Sequence, residues 1–147
     1  MSGDIRDLLL SSVCDSMKNV IPRPIARSES MPGDIPVSVA ELGVAIRFAN
    51  PIGIKMVLDG ERRMFSKMSE LIFGMPMEGE MLDSCAQEIA NIIAGGTTTL
   101  LSNRGIAADI TPPSLLNGSA SVADYAGGLA LIIEEVGNMR ILLLSSN

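Results

Sequence analysis

Three stretches of the chain place apolar residues three or four positions apart, which is the spacing of an amphipathic helix. These stretches are residues 4–20, 61–74 and 79–103. Two prolines follow the first stretch, and Gly74 and Pro76 follow the second, so both have a clear end signal. In the third stretch, Gly95 and Gly96 are expected to weaken or bend the middle of the helix.

Alternating apolar residues predict strands in much of the remaining chain. Residues 35–59 contain two such runs separated by the turn signal Asn50-Pro51, and they are expected to form a hairpin with one buried face. A slip in the alternation near Glu41 indicates a bulge. Three further strands are expected, at residues 106–111, 127–134 and 139–145. The last two form a hairpin in which Gly137-Asn138 supplies positive φ angles.

Two segments show neither the helical spacing nor the strand alternation of apolar residues. Residues 21–34 contain three prolines and are expected to form an irregular crossing, and residues 114–124, rich in Ser, Gly and Asn, are expected to be a loop. The order of elements is helix, two strands, two helices, strand and strand pair. It predicts an α/β fold of the α+β kind, in which a mainly antiparallel sheet is packed by helices. No internal repeat or linker is visible, so residues 1–147 are expected to form a single domain.

Composition excludes several classes of site and partner. The chain has no histidine, and Cys14 and Cys85 lie far apart, so we expect no metal site and two reduced, buried thiols. The net charge is −6 and no cluster of Lys and Arg is present, which argues against nucleic-acid binding. The N-terminus lacks the order of a signal peptide, and the uncharged run 89–103 is too short and polar to cross a membrane. We therefore expect a cytoplasmic protein with no membrane partner.

One face of the third helix carries the best candidate for chemistry. Ser84, Glu88 and Asn91 lie at positions i, i+4 and i+7, so their side chains fall within about 60° of one another on a helix. A solvated polar face explains many such stripes. Two features favour a function: Asn is an indifferent helix former, and Gly95 leaves room for the backbone of a partner. The opposite stripe is apolar and is expected to be buried: Leu82, Cys85, Ile89, Ile92, Ile93 and Leu100.

The spacing of these polar residues resembles the signature of the CheC/CheX/FliY chemotaxis phosphatases. In that pattern Asp or Ser is followed by x3-Glu-x2-Asn and, after a longer interval, by Pro. Ser84, Glu88 and Asn91 match it, and Pro113 follows one residue earlier than in the family. The motif occurs once, which favours the CheX type, because CheC carries two copies. The chain departs from the pattern at Gly96, where the family commonly has Asn.

The resemblance implies a CheC/CheX-like fold with two long helices on one face of the sheet. It also implies an activity, the hydrolysis of the aspartyl phosphate of a phosphorylated CheY-like receiver domain. Asn91 would orient the attacking water, and Glu88 would pair with the receiver's Lys, with a general-base role for Glu88 as the second choice. Ser84 and Gly95 would support the interface, and Pro113 would fix a neighbouring loop.

The resemblance further implies that the protein binds no cofactor of its own, since Mg²⁺ would be supplied by the receiver. It implies a homodimer in which strands continue the sheet between subunits, and the apolar strands at 127–145 are expected to offer the edge. Two alternatives stay open, and the departures at Gly96 and in the spacing to Pro113 motivate the first of them. One is a non-catalytic binding module for a receiver or for a chemotaxis or flagellar component. The other is a structural dimer whose polar helix face is merely solvated.

Overall fold

The computed structural model describes residues 2–49 and 51–145 of the chain. Within these residues it has three α-helices: α1 Ser2–Val20, α2 Arg62–Phe73 and α3 Gly79–Ser102. All three were predicted to within two residues at each end. The expected weakening at Gly95 and Gly96 does not interrupt α3, which stays helical through both glycines.

The described residues also form six strands in one antiparallel sheet, with the order β1-β5-β6-β3-β2-β4. The strands are β1 Ile25–Met31, β2 Leu42–Phe48, β3 Ile54–Gly60, β4 Ser114–Asn117, β5 Tyr125–Ile133 and β6 Gly137–Ser145. Both predicted hairpins, β2–β3 and β5–β6, are confirmed. Asn50 of the first turn lies outside the described residues.

Three strand predictions were wrong, and all three concern the margins of the sheet. Residues 21–34 include β1, an edge strand with five exposed residues in a row. Residues 114–124 begin with β4, a four-residue edge strand paired with β2. Residues 106–111 form only an isolated bridge between Ile110 and Phe48, and their apolar side chains pack against the core from a loop. Edge strands bury little, so apolar alternation does not mark them.

Three finer predictions were also wrong. The slip near Glu41 is not a bulge, because β2 begins after it at Leu42 and pairs with β3 in unbroken register. In the β5–β6 turn the positive φ angles belong to Glu135 and Gly137, and Asn138 is not among them. Finally, β5 and β6 lie inside the sheet, so the edge strands of the described sheet are β1 and β4.

The helices pack together on one face of the sheet, as predicted. The main hydrophobic cluster combines buried residues of all three helices, such as Leu9, Met68 and Ile93, with alternate residues of the central strands, such as Ile46 and Met56. The two long helices, α1 and α3, contact each other along this face. Burial on one side therefore leaves the other side of α3 directed away from the sheet.

The second face of the sheet carries a smaller cluster and a partly buried ion pair. Segments 37–39 and 119–122 hydrogen-bond to each other and cover this cluster. Asp59 is fully buried and accepts hydrogen bonds from the Ala40 backbone N–H at 2.9 Å and from Arg140 Nε at 2.8 Å. Arg140 also donates to the Ser38 carbonyl. The ion pair thus links the segment that contains Ser38 and Ala40 to β3 and β6.

Helices α1 and α3 lie close together at Ser16 and Gly96. The buried Ser16 hydroxyl donates to the Ile93 carbonyl at 2.6 Å. A Cβ placed on Gly96 would lie 2.3 Å from Ser16 Oγ. A Cβ placed on Gly95 would meet nothing within 4 Å. The two neighbouring glycines therefore have different structural roles, because only at Gly96 does the packing of the chain itself require a residue without a side chain.

This contrast predicts different stabilities for Gly95→Ala and Gly96→Ala. Both variants gain about 1 kcal/mol from the helix propensity of Ala, so that gain cancels in their comparison. In Gly96→Ala the Ser16 hydroxyl must turn from its acceptor while buried, which costs about 1–3 kcal/mol. We expect the free energy of unfolding of Gly96→Ala, measured by denaturant titration, to fall below that of Gly95→Ala by this amount. Equal values would contradict the assignment of Gly96 to helix packing.

Candidate functional site

The outward face of α3 presents Ser84, Glu88 and Asn91 to solvent. All three residues are exposed, and within the described part of the chain their side chains form no hydrogen bond or ion pair. Ser84 and Asn91 are separated by about 10 Å along the helix axis, with Glu88 between them. The hydroxyl, carboxylate and carboxamide are therefore held on a rigid element, while their hydrogen-bonding groups stay available to a partner.

The buried face of α3 differs from the predicted stripe. Leu82, Ile89 and Ile93 are buried as expected, but Cys85 and Leu100 are only half-buried and Ile92 is 38% exposed. The observed buried face is rich in small residues: Leu82, Ala86, Ile89, Ala90, Ile93, Ala94, Thr97 and Leu101. The prediction weighed large side chains alone. The alanines bring α3 close to its neighbours and turn the buried face away from Ile92.

Gly95 continues the polar row one turn beyond Asn91. It is half-buried, and the space in which a Cβ would lie is open. Glycine inside a helix costs about 1 kcal/mol relative to alanine. The chain therefore carries a destabilising residue at a position where its own packing does not need one. Gly96, in contrast, faces Ser16 of α1, so the departure from the family pattern lies on the inner side of α3.

Pro113 is half-buried and immediately precedes β4. Its carbonyl accepts a hydrogen bond from Gln87 Nε2 at 3.3 Å. This contact ties the loop before β4 to α3, at the residue next to Glu88. The sequence analysis did not identify Gln87, because a single hydrogen bond from a side chain to a loop carbonyl produces no periodic pattern in the sequence.

A cavity of about 620 Å³ lies elsewhere, between α2, the start of α3 and the β5–β6 turn. Its lining is balanced in formal charge, with three cationic residues (Arg62, Arg63 and Lys67) and three acidic residues (Glu70, Glu78 and Glu135). Lys67 pairs with Glu70 at 2.9 Å, and Arg62 pairs with Asp83, which lies outside the lining, at 3.0 Å. Because the formal charges balance, the cavity carries no net charge that would favour an ionic ligand.

The two cysteines are free and lie on the long helices. They are half-buried, so the prediction of two buried thiols was wrong. Burial raises the pKa of the Cys14 thiol, which favours its protonated, less reactive form. In residues 2–49 and 51–145 no group of three potential metal-binding side chains comes together. No helix in the same ranges is long and apolar enough to cross a membrane.

The family model for the chemotaxis phosphatase CheX matches residues 42–136 of the chain. The chain belongs to the CheX family. This match confirms the resemblance found in the motif, and it includes all of α3 with Ser84, Glu88 and Asn91. No curated protein sequence matches the chain.

Solved structures share the fold of this CheX-family protein at low sequence identity. A CheC-like superfamily protein from Shewanella sp. PV-4 has a TM-score of 0.69 at 18% identity, with 97% of each chain covered. CheX from Vibrio vulnificus has a TM-score of 0.70 at 14% identity, covering 98% of this chain and 97% of that chain. A chain in the CheX–CheY–BeF₃–Mg²⁺ complex from Borrelia burgdorferi has a TM-score of 0.63 at 16% identity, covering 94% and 95%. The predicted CheC/CheX-like α+β fold is thus confirmed.

The geometry of α3 predicts that its polar row contributes little to folding. Glu88→Ala and Asn91→Ala should leave the free energy of unfolding within about 0.5 kcal/mol of wild type, because both side chains are exposed and unpaired. Ile93→Ala, on the buried face of the same helix, should lose about 2–5 kcal/mol. Denaturant titration measures all three. A large loss in Asn91→Ala would show that the polar row has a structural role.

Proposed function

We propose that this protein hydrolyses the aspartyl phosphate of a CheY-like receiver domain that docks on the outward face of α3. The observation that carries the proposal is the exposed, unpaired row of Glu88 and Asn91 on a helix fixed in the core by its other face. The family is described as a chemotaxis phosphatase, and a relative with the same fold forms a complex with CheY, BeF₃ and Mg²⁺. Both facts support a receiver as the substrate.

Asn91 is proposed to orient the attacking water. A carboxamide offers a hydrogen-bond donor and an acceptor together, so it can set both the position and the orientation of one water molecule. Phosphoryl transfer depends chiefly on positioning and electrostatics, so a group with no acid–base role suffices. Because no other side chain engages Asn91 in the described part of the chain, neither of its hydrogen-bonding groups has to be freed before docking.

Glu88 lies one turn before Asn91 and is proposed to pair with the active-site Lys of the receiver. Such a pair would set the register of docking as well as adding affinity. Ser84, one turn further back, would support the same interface, and Pro113 would order the loop that Gln87 ties to α3. Mg²⁺ would arrive with the receiver, so the complete catalytic site forms only in the complex.

The alternative of a non-catalytic binding module was motivated by two departures from the family pattern, Gly96 and the shortened spacing to Pro113. Gly96 faces α1 on the inner side of the helix and is accounted for by the close contact with Ser16. The departure at Gly96 therefore leaves the docking face unaltered, which favours the phosphatase. For the homodimer implied by the resemblance, we propose β1 or β4 as the joining strand, since these are the edges of the described sheet.

The decisive experiment measures the lifetime of a phosphorylated CheY-like receiver with Mg²⁺ present. Asn91→Ala should reduce the acceleration by about 10²-fold, the size expected for one positioned catalytic group. Glu88→Ala should weaken the acceleration mainly through binding. Asn19→Ala, an exposed helical Asn on α1, is the matched control and should behave as wild type. If Asn91→Ala retains full acceleration, the proposed mechanism is wrong.

Gly95→Ala should separate stability from activity. The variant should be as stable as wild type or more so, because its Cβ meets nothing in the chain and Ala favours helix. Its kcat/KM for the phosphorylated receiver should nevertheless fall by about tenfold or more, because a partner that approaches Asn91 closely would be displaced. Steady-state phosphate release and thermal unfolding are measured on the same sample. Unchanged kcat/KM would show that Gly95 leaves no space that docking uses.

A further inference from the structure

Beside its polar row, α3 exposes two large apolar side chains. Met81 is 63% exposed and Ile92 is 38% exposed. Ile92 directly follows Asn91 and lies one turn beyond Glu88. Met81 lies about 15 Å from Asn91 along the helix axis. Of the two, Ile92 is therefore the one that sits beside the proposed catalytic groups.

Helix propensity does not account for isoleucine at position 92, and packing within the chain leaves 38% of its surface exposed. The core that α3 contacts is built from the opposite, alanine-rich face of the helix. At a partly exposed helical position Ala is favoured over the β-branched Ile, which loses side-chain freedom in a helix. The apolar surface of Ile92 that stays exposed can be buried by a partner.

The size of a protein interface decides whether a docked receiver reaches Ile92. An interface of ordinary size covers about 800 Å² on each partner, a patch of roughly 16 Å radius. A patch of this size centred on Asn91 covers Ile92, because the two residues are adjacent. Met81 falls at the rim of the same patch. Binding energy concentrates in central, desolvated side chains and rim contacts add little.

We propose that Ile92 is the apolar anchor of the receiver-docking face. The inference rests on the proposed function, since it takes the receiver as the occupant of α3. Ile92 has no hydrogen-bonding group and so does not act on the water or the phosphate. Its burial contributes equally before and during the transition state, so it sets affinity and leaves the hydrolytic step unchanged. The fitting partner carries an apolar patch beside its phosphorylated Asp.

The test compares Ile92→Ala with Ile132→Ala. Ile132 is 43% exposed and projects from β5 on the face of the sheet opposite to Leu131 and Ile133, which lie in the helix-covered core. Binding is titrated with a CheY-like receiver loaded with BeF₃ and Mg²⁺, and hydrolysis is measured with the phosphorylated receiver. Ile92→Ala should raise both Kd and KM about tenfold while kcat stays unchanged. Ile132→Ala should match wild type, and Ile92→Leu should retain most of the affinity.

The outcomes separate the anchor from the phosphatase. If Ile92→Ala leaves Kd and KM at their wild-type values, or lowers kcat alone, the anchor is disproved while the proposed function stands. If wild type binds the loaded receiver without accelerating hydrolysis and Ile92→Ala weakens that binding, the anchor is supported and the phosphatase proposal fails. If wild type binds no receiver at all, both are disproved. Thermal unfolding of each variant confirms that every comparison is made between folded proteins.

Discussion

The orientation of α3 about its own axis depends on its contact with α1. Gly96 admits Ser16, whose hydroxyl bonds to the Ile93 carbonyl, and alanines at every fourth position bring the helix against its neighbours. Successive residues on a helix are separated by about 100°, so a rotation by a single residue would replace Asn91 with Ile92 on the outward face. The position of every outward side chain thus depends on a contact made by small residues on the inner side.

The sequence predicts those elements that bury a continuous apolar face. The three helices and both central hairpins were found because their burial imposes a period on the residues. The edge strands were missed because they bury no continuous apolar face. Strand β1 is mostly exposed, and β4 is too short to show a period. The error at Ile92 has a related cause. Alanine, a weak hydrophobic signal in a sequence, can outweigh isoleucine in deciding which face a helix buries.

The shared face of the candidate residues could be predicted, because a helix converts sequence spacing directly into geometry. Ser84, Glu88 and Asn91 share a face in the structure as their spacing requires. The contact from Gln87 to Pro113 could not be predicted, since it joins residues that only the tertiary fold brings together. The different roles of Gly95 and Gly96 could not be predicted from the sequence either. A glycine can leave open space for a partner or allow two helices to pack closely, and only the tertiary fold distinguishes the two.

The order of strands has a consequence for how the chain comes to be folded. Strand β1 pairs with β5, a partner about a hundred residues later in the chain. At a synthesis rate of about 5–20 residues per second, β1 leaves the ribosome roughly 5–20 s before its partner exists. Pairing at such long range also slows folding itself. Strand β1 carries hydroxyl-bearing and charged residues, which lower its tendency to aggregate while it is unpaired. An unpaired apolar strand would be prone to aggregation during this interval.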